Sequence, residues 1–216
     1  MARRIDDEDV RAARLLDAQD KAAALFAEIE PRGLLRPGVT EVEASDAIRD
    51  LAADMFGVDR HWHKRIVRAG PNTLQPYRKN PPNREIAADD IAFADFGPIF
   101  EEWEADFGRT FVLGGDPVKH RLRDDLPVVW QAGREFFRSQ PGITGEQLYA
   151  HMVQLGQEAG WEFGGEIAGH LVGQFPHEKI AGDKIESYIA PGSDQVMRRP
   201  DRSGRDCHWI LEVHLV

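Results

Sequence analysis

Two aspartates, Asp95 and Asp106, lie eleven residues apart in a segment that otherwise has the apolar character of two β-strands. If these strands form a hairpin that turns near Phe100 and Glu101, opposed residue numbers sum to about 201, which places the two carboxylates across the ladder with Cβ atoms roughly 5 Å apart. Like charges opposed in this way repel each other unless they share a proton or bind a cation. The pair therefore predicts a metal site.

Histidines and a further acid follow in the second half of the chain. His170 and His177 lie seven residues apart in a glycine-rich stretch. The end of the chain alternates between apolar and polar residues as a strand does, which places Glu212 on the same face as His208 and His214. A carboxylate within an apolar strand needs a partner, because burying an unpaired charge costs several kcal/mol. A metal ion would be such a partner, and for His208 and His214 a supporting or packing role is the simpler interpretation.

Amphipathic helices must position these residues. The hydrophobic period predicts four of them, over residues 7–29, from Thr40 to about Gly57, over 121–139 with Pro127 in the first turn or at a kink, and from Thr144 onward. Thr40 and Thr144 each begin a capping box after a Pro-Gly pair, and the two copies are 104 residues apart.

This repeat has two explanations. It indicates either a recurring way to start a helix or a duplication of the chain. In a duplication, the halves would be about 7–118 and 119–216, each with two helices followed by strands. A pseudo-twofold arrangement would then bring the sheets of the halves together around an active cleft.

The composition restricts the function classes. The formal charge of −10 and the absence of a basic stripe argue against a nucleic-acid partner. No apolar window is long enough for a membrane span, so no membrane partner is expected. The single cysteine, Cys207, excludes an intrachain disulfide and a cysteine-based zinc knuckle. The first residues include no apolar signal region, and we expect a cytoplasmic protein.

The pattern of acids and histidines resembles that of the pita-bread metallopeptidases, which include methionine aminopeptidase, aminopeptidase P, prolidase and creatinase. The segment Ala-Asp-Phe-Gly-Arg-Thr-Phe at 105–111 is most similar to the aminopeptidase P and prolidase type. The resemblance implies an α+β fold in which duplicated helices surround a curved, mainly antiparallel sheet. We expect residues 1–216 to form a single catalytic domain without the separate N-terminal domain that prolidase, aminopeptidase P and creatinase usually carry.

The resemblance also implies roles for individual residues. Asp95, Asp106, His170 and Glu212 would be metal ligands, and His177 and Glu212 would be catalytic. Glu212 would lie near the attacking water, and His177 would contact the substrate carbonyl. The implied cofactors are divalent metal ions, two in number, and the sequence does not select among Mn, Fe, Co and Zn.

The substrate end departs from the family pattern. The peptidases have a substrate-binding histidine 17 or 18 residues before the first aspartate, where this sequence has Arg78 and Tyr77. We expect Tyr77 to orient a carbonyl through its hydroxyl and Arg78 to bind a carboxylate. His61 and His63 lie too far upstream to be aligned by this motif.

Two further points concern Arg109 and the end of the chain. Arg109 is either a substrate contact or the ion-pair partner of Glu102 or Glu104. The families end with a further strand whose glutamate bridges the metals, whereas this sequence stops four residues after Glu212. We therefore expect that a C-terminal strand is missing.

The resulting hypothesis is a metallopeptidase-type hydrolase that cleaves an amide bond near the N-terminus of a short peptide or in an amino-acid derivative. A homodimer is a candidate assembly. The alternatives are a non-catalytic binding module on the same fold and a metal-dependent lyase or C–N hydrolase of a small zwitterion. Arg78 and Lys79 would bind the carboxylate of such a zwitterion.

Overall fold

The computed structural model describes residues 8–176, 185–201 and 204–216. Two compact units are present, and they are described separately. The first unit comprises Asp9–His120 and Gln174–Pro176, and the second comprises Arg121–Gly173 with Glu8 and the described residues after 184. The helices are α1 (Glu8–Ala27), α2 (Glu41–Phe56), α3 (Pro117–Ser139) and α4 (Gly145–Glu158). The strands are β1 (Ile66–Ala69), β2 (Ile91–Phe96), β3 (Ile99–Phe100), β4 (Trp103–Glu104), β5 (Phe107–Val112), β6 (Gly169–Val172) and β7 (His208–Leu211).

The first unit packs helices against one face of an antiparallel sheet with the strand order β1-β2-β5. Alternate residues of β2 are buried, namely Ala92, Ala94 and Phe96, because one sheet face forms the core. Phe26 of α1 packs against Phe96 and Phe107, with ring centroids 6.1 and 5.0 Å apart. The other face of β2, which includes Asp95, is left for the site.

Helix α2 begins and ends where the sequence predicts. The side chain of Thr40 accepts a hydrogen bond from the backbone N–H of Glu43, whose carboxylate accepts one from the backbone N–H of Thr40. Gly57 ends the helix in the left-handed conformation, with φ of 68°, which glycine adopts without steric cost. Thr144 and Gln147 form the same capping box at the start of α4.

The hairpin register differs from the predicted one. Opposed residue numbers sum to 203, and Asp95 pairs with Gly108 rather than with Asp106. The turn consists of Glu101 and Glu102, between the Phe100–Trp103 pair of β3 and β4. It is one residue later than predicted because Glu101 adopts a left-handed φ of 59°. A shift of two residues preserves the sheet face, since side chains alternate with a period of two.

In the second unit, α3 and α4 surround a compact apolar core. Gly133 of α3 brings the helices close together, because a Cβ there would lie 2.1 Å from Met152 Sδ. Helix α3 begins at Pro117 rather than at 121, and Pro127 therefore lies in its interior and not in its first turn. Asp116 caps this start by accepting a hydrogen bond of 2.8 Å from the N–H of Val118. The core residues are Val129, Ile143, Leu148, Met152, Ala168, Ile189, Met197 and Leu215.

The last strand is shorter than its alternating pattern predicts. Strand β7 pairs with β6 through Leu211 and ends there, so Glu212 follows the strand instead of lying inside it. The backbone N–H of Glu212 donates to the carbonyl of Ala168 at 2.9 Å, which fixes the residue beside the start of β6. In the described part of the chain, none of the helices has the length and apolar character that crossing a membrane requires.

The two capping boxes lead to a stability prediction. We expect Thr144→Ala and Thr40→Ala each to lower the free energy of unfolding by about 1 kcal/mol, because each change leaves an N-terminal backbone N–H of the helix without its acceptor. Urea unfolding followed by circular dichroism measures the change. Thr144→Ser retains the hydroxyl and is the matched control. An alanine variant as stable as the serine variant would contradict the role of the cap.

Candidate metal centre

The first unit brings Asp95 and Asp106 together despite the shifted register. Asp95 lies in β2 on the sheet face opposite to that of Ala94 and Phe96. Asp106 lies between β4 and β5, next to Ala105, whose N–H donates to the carbonyl of Pro98 at 3.0 Å. A carboxylate oxygen of each aspartate lies within 4.8 Å of the other. The predicted proximity of the two acids is therefore present in the folded chain.

His63 is the third member of this cluster, although the sequence pattern does not assign it to the site. Its Nε2 lies 3.5 Å from Asp106 Oδ1 and 3.8 Å from Asp95 Oδ1. The side chain of His63 is only 8% exposed, and Nε2 makes no hydrogen bond of ordinary geometry with the described residues. The distances leave a gap between the imidazole and the carboxylates that suits a small cation.

The backbone around His63 explains how a residue so far upstream reaches the aspartates. The N–H of Trp62 donates to the carbonyl of Gly97 at 2.9 Å, and the N–H of Ile99 donates to that of Arg60 at 3.1 Å. The indole Nε1 of Trp62 donates to the carbonyl of Ala105 at 2.9 Å. The segment before β1 is thereby tied to both edges of the turn region that follows Asp95.

Two effects oppose each other at His63. Burial by itself lowers the pKa of this imidazole, but the polar interaction with Asp106 and the negative charges of Asp106 and Asp95 outweigh burial and raise the pKa. The Nδ1 atom lies 2.7 Å from the carbonyl oxygen of Lys64, an acceptor that keeps a proton on Nδ1. Nε2 is therefore the nitrogen that faces the acids.

A loop with two of the predicted substrate residues lies beside His63. The ring of Tyr77 is 6.3 Å from the His63 ring between centroids, and Lys64 Nζ lies 4.4 Å from the Tyr77 centroid. Buried Arg68 holds the loop by donating to the carbonyls of Gln75, Pro76 and Lys79. Tyr77 is 51% exposed and Arg78 is also exposed, so both can meet a ligand.

Arg109 is not brought to the aspartates. It pairs with Ala94, and paired residues point to the same face, so Arg109 lies on the sheet face opposite to that of Asp95. Its guanidinium lies 3.9 Å from the centroid of the Phe107 ring and donates to the carbonyl of Gly108. Glu102, a predicted partner, accepts instead from the side chain of Gln174 at 2.9 Å.

The second unit brings a separate set of predicted residues together. His170 Nε2 lies 3.3 Å from Glu212 Oε1, and His214 Nε2 lies 2.9 Å from Glu212 Oε2. Burial by itself would raise the pKa of Glu212, but the interactions with His170 and His214 lower it well below its usual range. Glu212 is thus an ionised carboxylate held between two imidazoles, as expected of an anionic metal ligand.

The remaining predicted histidines differ in outcome. His170 Nδ1 lies 2.8 Å from the carbonyl oxygen of Leu171, so Nε2 faces Glu212 in the same manner as His63 faces its acids. His208 points elsewhere, with Nε2 2.6 Å from Glu8 Oε1. His177 lies outside the described residues, and its role stays a prediction.

The donor set fits a divalent metal ion. Carboxylate oxygens with one imidazole are ligands that Mn²⁺, Fe²⁺, Co²⁺ and Zn²⁺ all accept. The metal site in the first unit would consist of the two carboxylates and the buried Nε2 of His63. A cation bound there would offset the repulsion between the acids and contact Nε2 directly.

Gly97 is required by this packing, which gives a second prediction. A Cβ at position 97 would lie 2.2 Å from His63 Cδ2 and 2.5 Å from Trp62 Nε1. We expect Gly97→Ala to destabilise the chain by about 1–3 kcal/mol, because it overpacks the site, as measured by urea unfolding. Gly108→Ala is the matched control, since its Cβ would meet only the Ala94 carbonyl at 3.7 Å. Equal stability of the two variants would show that His63 and Trp62 do not pack on Gly97.

Comparison with known proteins places this geometry in a family. The sequence model of the family described as metallopeptidase family M24 matches residues 13–200 of this chain. An Xaa-Pro dipeptidase of Pyrococcus horikoshii is 23% identical over 182 residues, which cover 80% of this chain and 51% of the relative. The chain thus spans about half the length of that relative.

Solved structures confirm the predicted α+β, pita-bread fold. An X-Pro aminopeptidase of Thermotoga maritima aligns with a TM-score of 0.67 at 21% identity, covering 88% of this chain and 51% of that one. An Xaa-Pro dipeptidase of Bacillus anthracis aligns with a TM-score of 0.69 at 22% identity, covering 95% and 53%. With the family model matched over most of its length, the chain belongs to metallopeptidase family M24.

Proposed function

We propose that this chain is the catalytic part of a metal-dependent hydrolase that cleaves an amide bond in a short peptide or an amino-acid derivative. The observation that carries the proposal is the convergence of the Asp95 and Asp106 carboxylates on a buried imidazole nitrogen. Two acids held this close together in a protein interior are unfavourable without a cation. Membership of the M24 family supports the peptidase class of reaction.

The proposed ligands are Asp95, Asp106, His170 and Glu212, and the proposed cofactors are two divalent metal ions. A donor set dominated by carboxylates makes Mn²⁺ the first ion to test. When bound, the metal supplies Lewis acidity and lowers the pKa of a water molecule to near neutrality. The remaining chemistry belongs to the residues of the chain.

Glu212 is the proposed proton acceptor for the attacking water. The two imidazoles beside it, His170 and His214, orient its carboxylate through contacts of 3.3 and 2.9 Å. His177 is proposed to stabilise the oxyanion of the tetrahedral intermediate. Glu212 and His177 are the two catalytic residues that the sequence predicts.

Tyr77 and Arg78 are the proposed substrate contacts in the first unit. The Tyr77 ring lies beside His63, and the Arg68 hydrogen bonds hold its loop on the sheet face of Asp95. The phenol can donate to a substrate carbonyl, and the exposed Arg78 can pair with a carboxylate. Arg109, on the opposite face, is a proposed contact only if the substrate extends beyond the sheet edge.

The proposed location is the cytoplasm, where a lone Cys207 stays reduced.

The hydrolase proposal predicts the effect of removing one charge. We expect Asp106→Asn to lower metal-dependent turnover of a dipeptide by about a hundredfold or more, because ligand changes act on affinity at least as strongly as changes in the supporting shell. The measurement is kcat/KM over a panel of dipeptides, Xaa-Pro dipeptides included, in Mn²⁺. Full activity of Asp106→Asn would overturn the proposal.

Controls separate this result from its alternatives. Asp59→Asn is the matched control, since the Asp59 side chain is 81% exposed and, among the described residues, its ion pair is with Arg60 at the surface. It should leave turnover unchanged. Small betaines belong in the same panel, and turnover of a betaine without turnover of any dipeptide would favour a lyase or C–N hydrolase. Wild-type protein that binds no Mn²⁺ and turns over nothing would favour the non-catalytic binding module.

A further inference from the structure

We propose that His63 is a direct ligand, through Nε2, of the metal ion held by Asp95 and Asp106, so that the first unit alone contributes three ligand side chains. This inference rests on the proposed metal centre, but it concerns a residue that the family pattern does not assign. It is tested by metal binding rather than by turnover, so that the two proposals can fail separately.

The distances support ligation over a simple hydrogen bond. Nε2 lies 3.5 Å from Asp106 Oδ1 and 3.8 Å from Asp95 Oδ1, and all three candidate ligand atoms lie within 4.8 Å of one another. Ligand atoms bound at about 2.0–2.2 Å from one ion lie roughly 3–3.5 Å apart. Small side-chain movements bring the three atoms into that range, whereas each pair is at or beyond the limit of a hydrogen bond.

The other ring nitrogen supports the same conclusion. Metal-binding histidines commonly donate the second ring N–H to a carboxylate or a backbone carbonyl, which fixes the tautomer and aims the free lone pair at the ion. His63 Nδ1 lies 2.7 Å from the carbonyl oxygen of Lys64. Nε2 then faces the two carboxylates, and a cation between them would be bound by all three groups.

Burial leaves Nε2 facing the two acids. The side chain is 8% exposed, and Nε2 has no hydrogen bond of ordinary geometry among the described residues. Its contacts with the carboxylates of Asp106 and Asp95 are electrostatic, and a cation between these groups would give the nitrogen a direct partner. The His63 ring packs against Trp62, with ring centroids 4.5 Å apart, and against the backbone of Gly97, where a Cβ would lie 2.2 Å from His63 Cδ2.

The test is Co²⁺ binding to metal-free protein, measured both by titration calorimetry and by the visible absorption of the bound ion. We expect His63→Phe, which retains an aromatic ring, to weaken Co²⁺ binding at least tenfold and to change the absorption spectrum. In Co²⁺-loaded wild-type protein, proton NMR should show a strongly shifted exchangeable imidazole resonance that His63→Phe lacks. His120→Phe is the matched control, because its Nε2 faces the Gly114 carbonyl at 3.0 Å, and it should behave as wild type.

A second variant distinguishes loss of the ligand from loss of folding. His63→Gly leaves a cavity that free imidazole can enter, and added imidazole should restore Co²⁺ affinity and the wild-type spectrum if nitrogen ligation is what the variant lost. Circular dichroism of both metal-free variants confirms that they fold. Failure of imidazole to restore binding to folded His63→Gly would overturn the inference.

The outcomes distinguish the two proposals. Unchanged Co²⁺ affinity and spectrum in His63→Phe, with only KM raised, would assign His63 to the substrate and overturn ligation. Weakened binding in a protein that hydrolyses no peptide would uphold ligation while the proposed hydrolase function fails. Wild-type protein that binds no Co²⁺ would overturn both.

Discussion

The repulsion between the Asp95 and Asp106 carboxylates is the constraint on which the rest of the first unit depends. The chain holds these acids close together in a partly buried place, where their mutual repulsion is stronger than in water. Such an arrangement persists only because the surrounding structure enforces it. The core face of β2, with Ala92, Ala94 and Phe96, anchors the strand on one side and leaves Asp95 on the other.

Hydrogen bonds and packing then make the site rigid. The segment before β1 is tied to the residues after β2, and Gly97 leaves room for Trp62 and His63 to approach its backbone. Arg68, which is buried, and Lys64 hold the loop of Tyr77 by donating hydrogen bonds to its backbone carbonyls. Positioning by backbone contacts of this kind favours a preorganised ligand set.

Whether a structural feature could be predicted from the sequence depended on how far apart in the chain its interacting residues lie. Local signals were reliable: the capping boxes at Thr40 and Thr144 and the stop at Gly57 follow from hydrogen bonds within a few residues. The hairpin register was wrong by two because the conformation of Glu101 cannot be inferred from residue type. The start of α3 was predicted at residue 121 instead of Pro117, because Asp116 was not recognised as the residue that caps the helix.

His63 was missed for a different reason. Its contact with the acids is long-range in sequence and depends on β1 pairing antiparallel with β2, with Ile66 opposite Asp95. That pairing brings the residues just before β1 to the end of β2, and a histidine pair flanking Trp62 was the only local signal of it. The family pattern, by contrast, correctly predicted the pita-bread fold because several widely spaced residues had to agree.

Anomalous diffraction from crystals grown with Mn²⁺ locates the ion that the two aspartates are proposed to bind. Metal ligation by Asp95 and Asp106 predicts a manganese peak within coordination distance of their carboxylate oxygens. A well-ordered structure in saturating Mn²⁺ without a peak at these two carboxylates would contradict it.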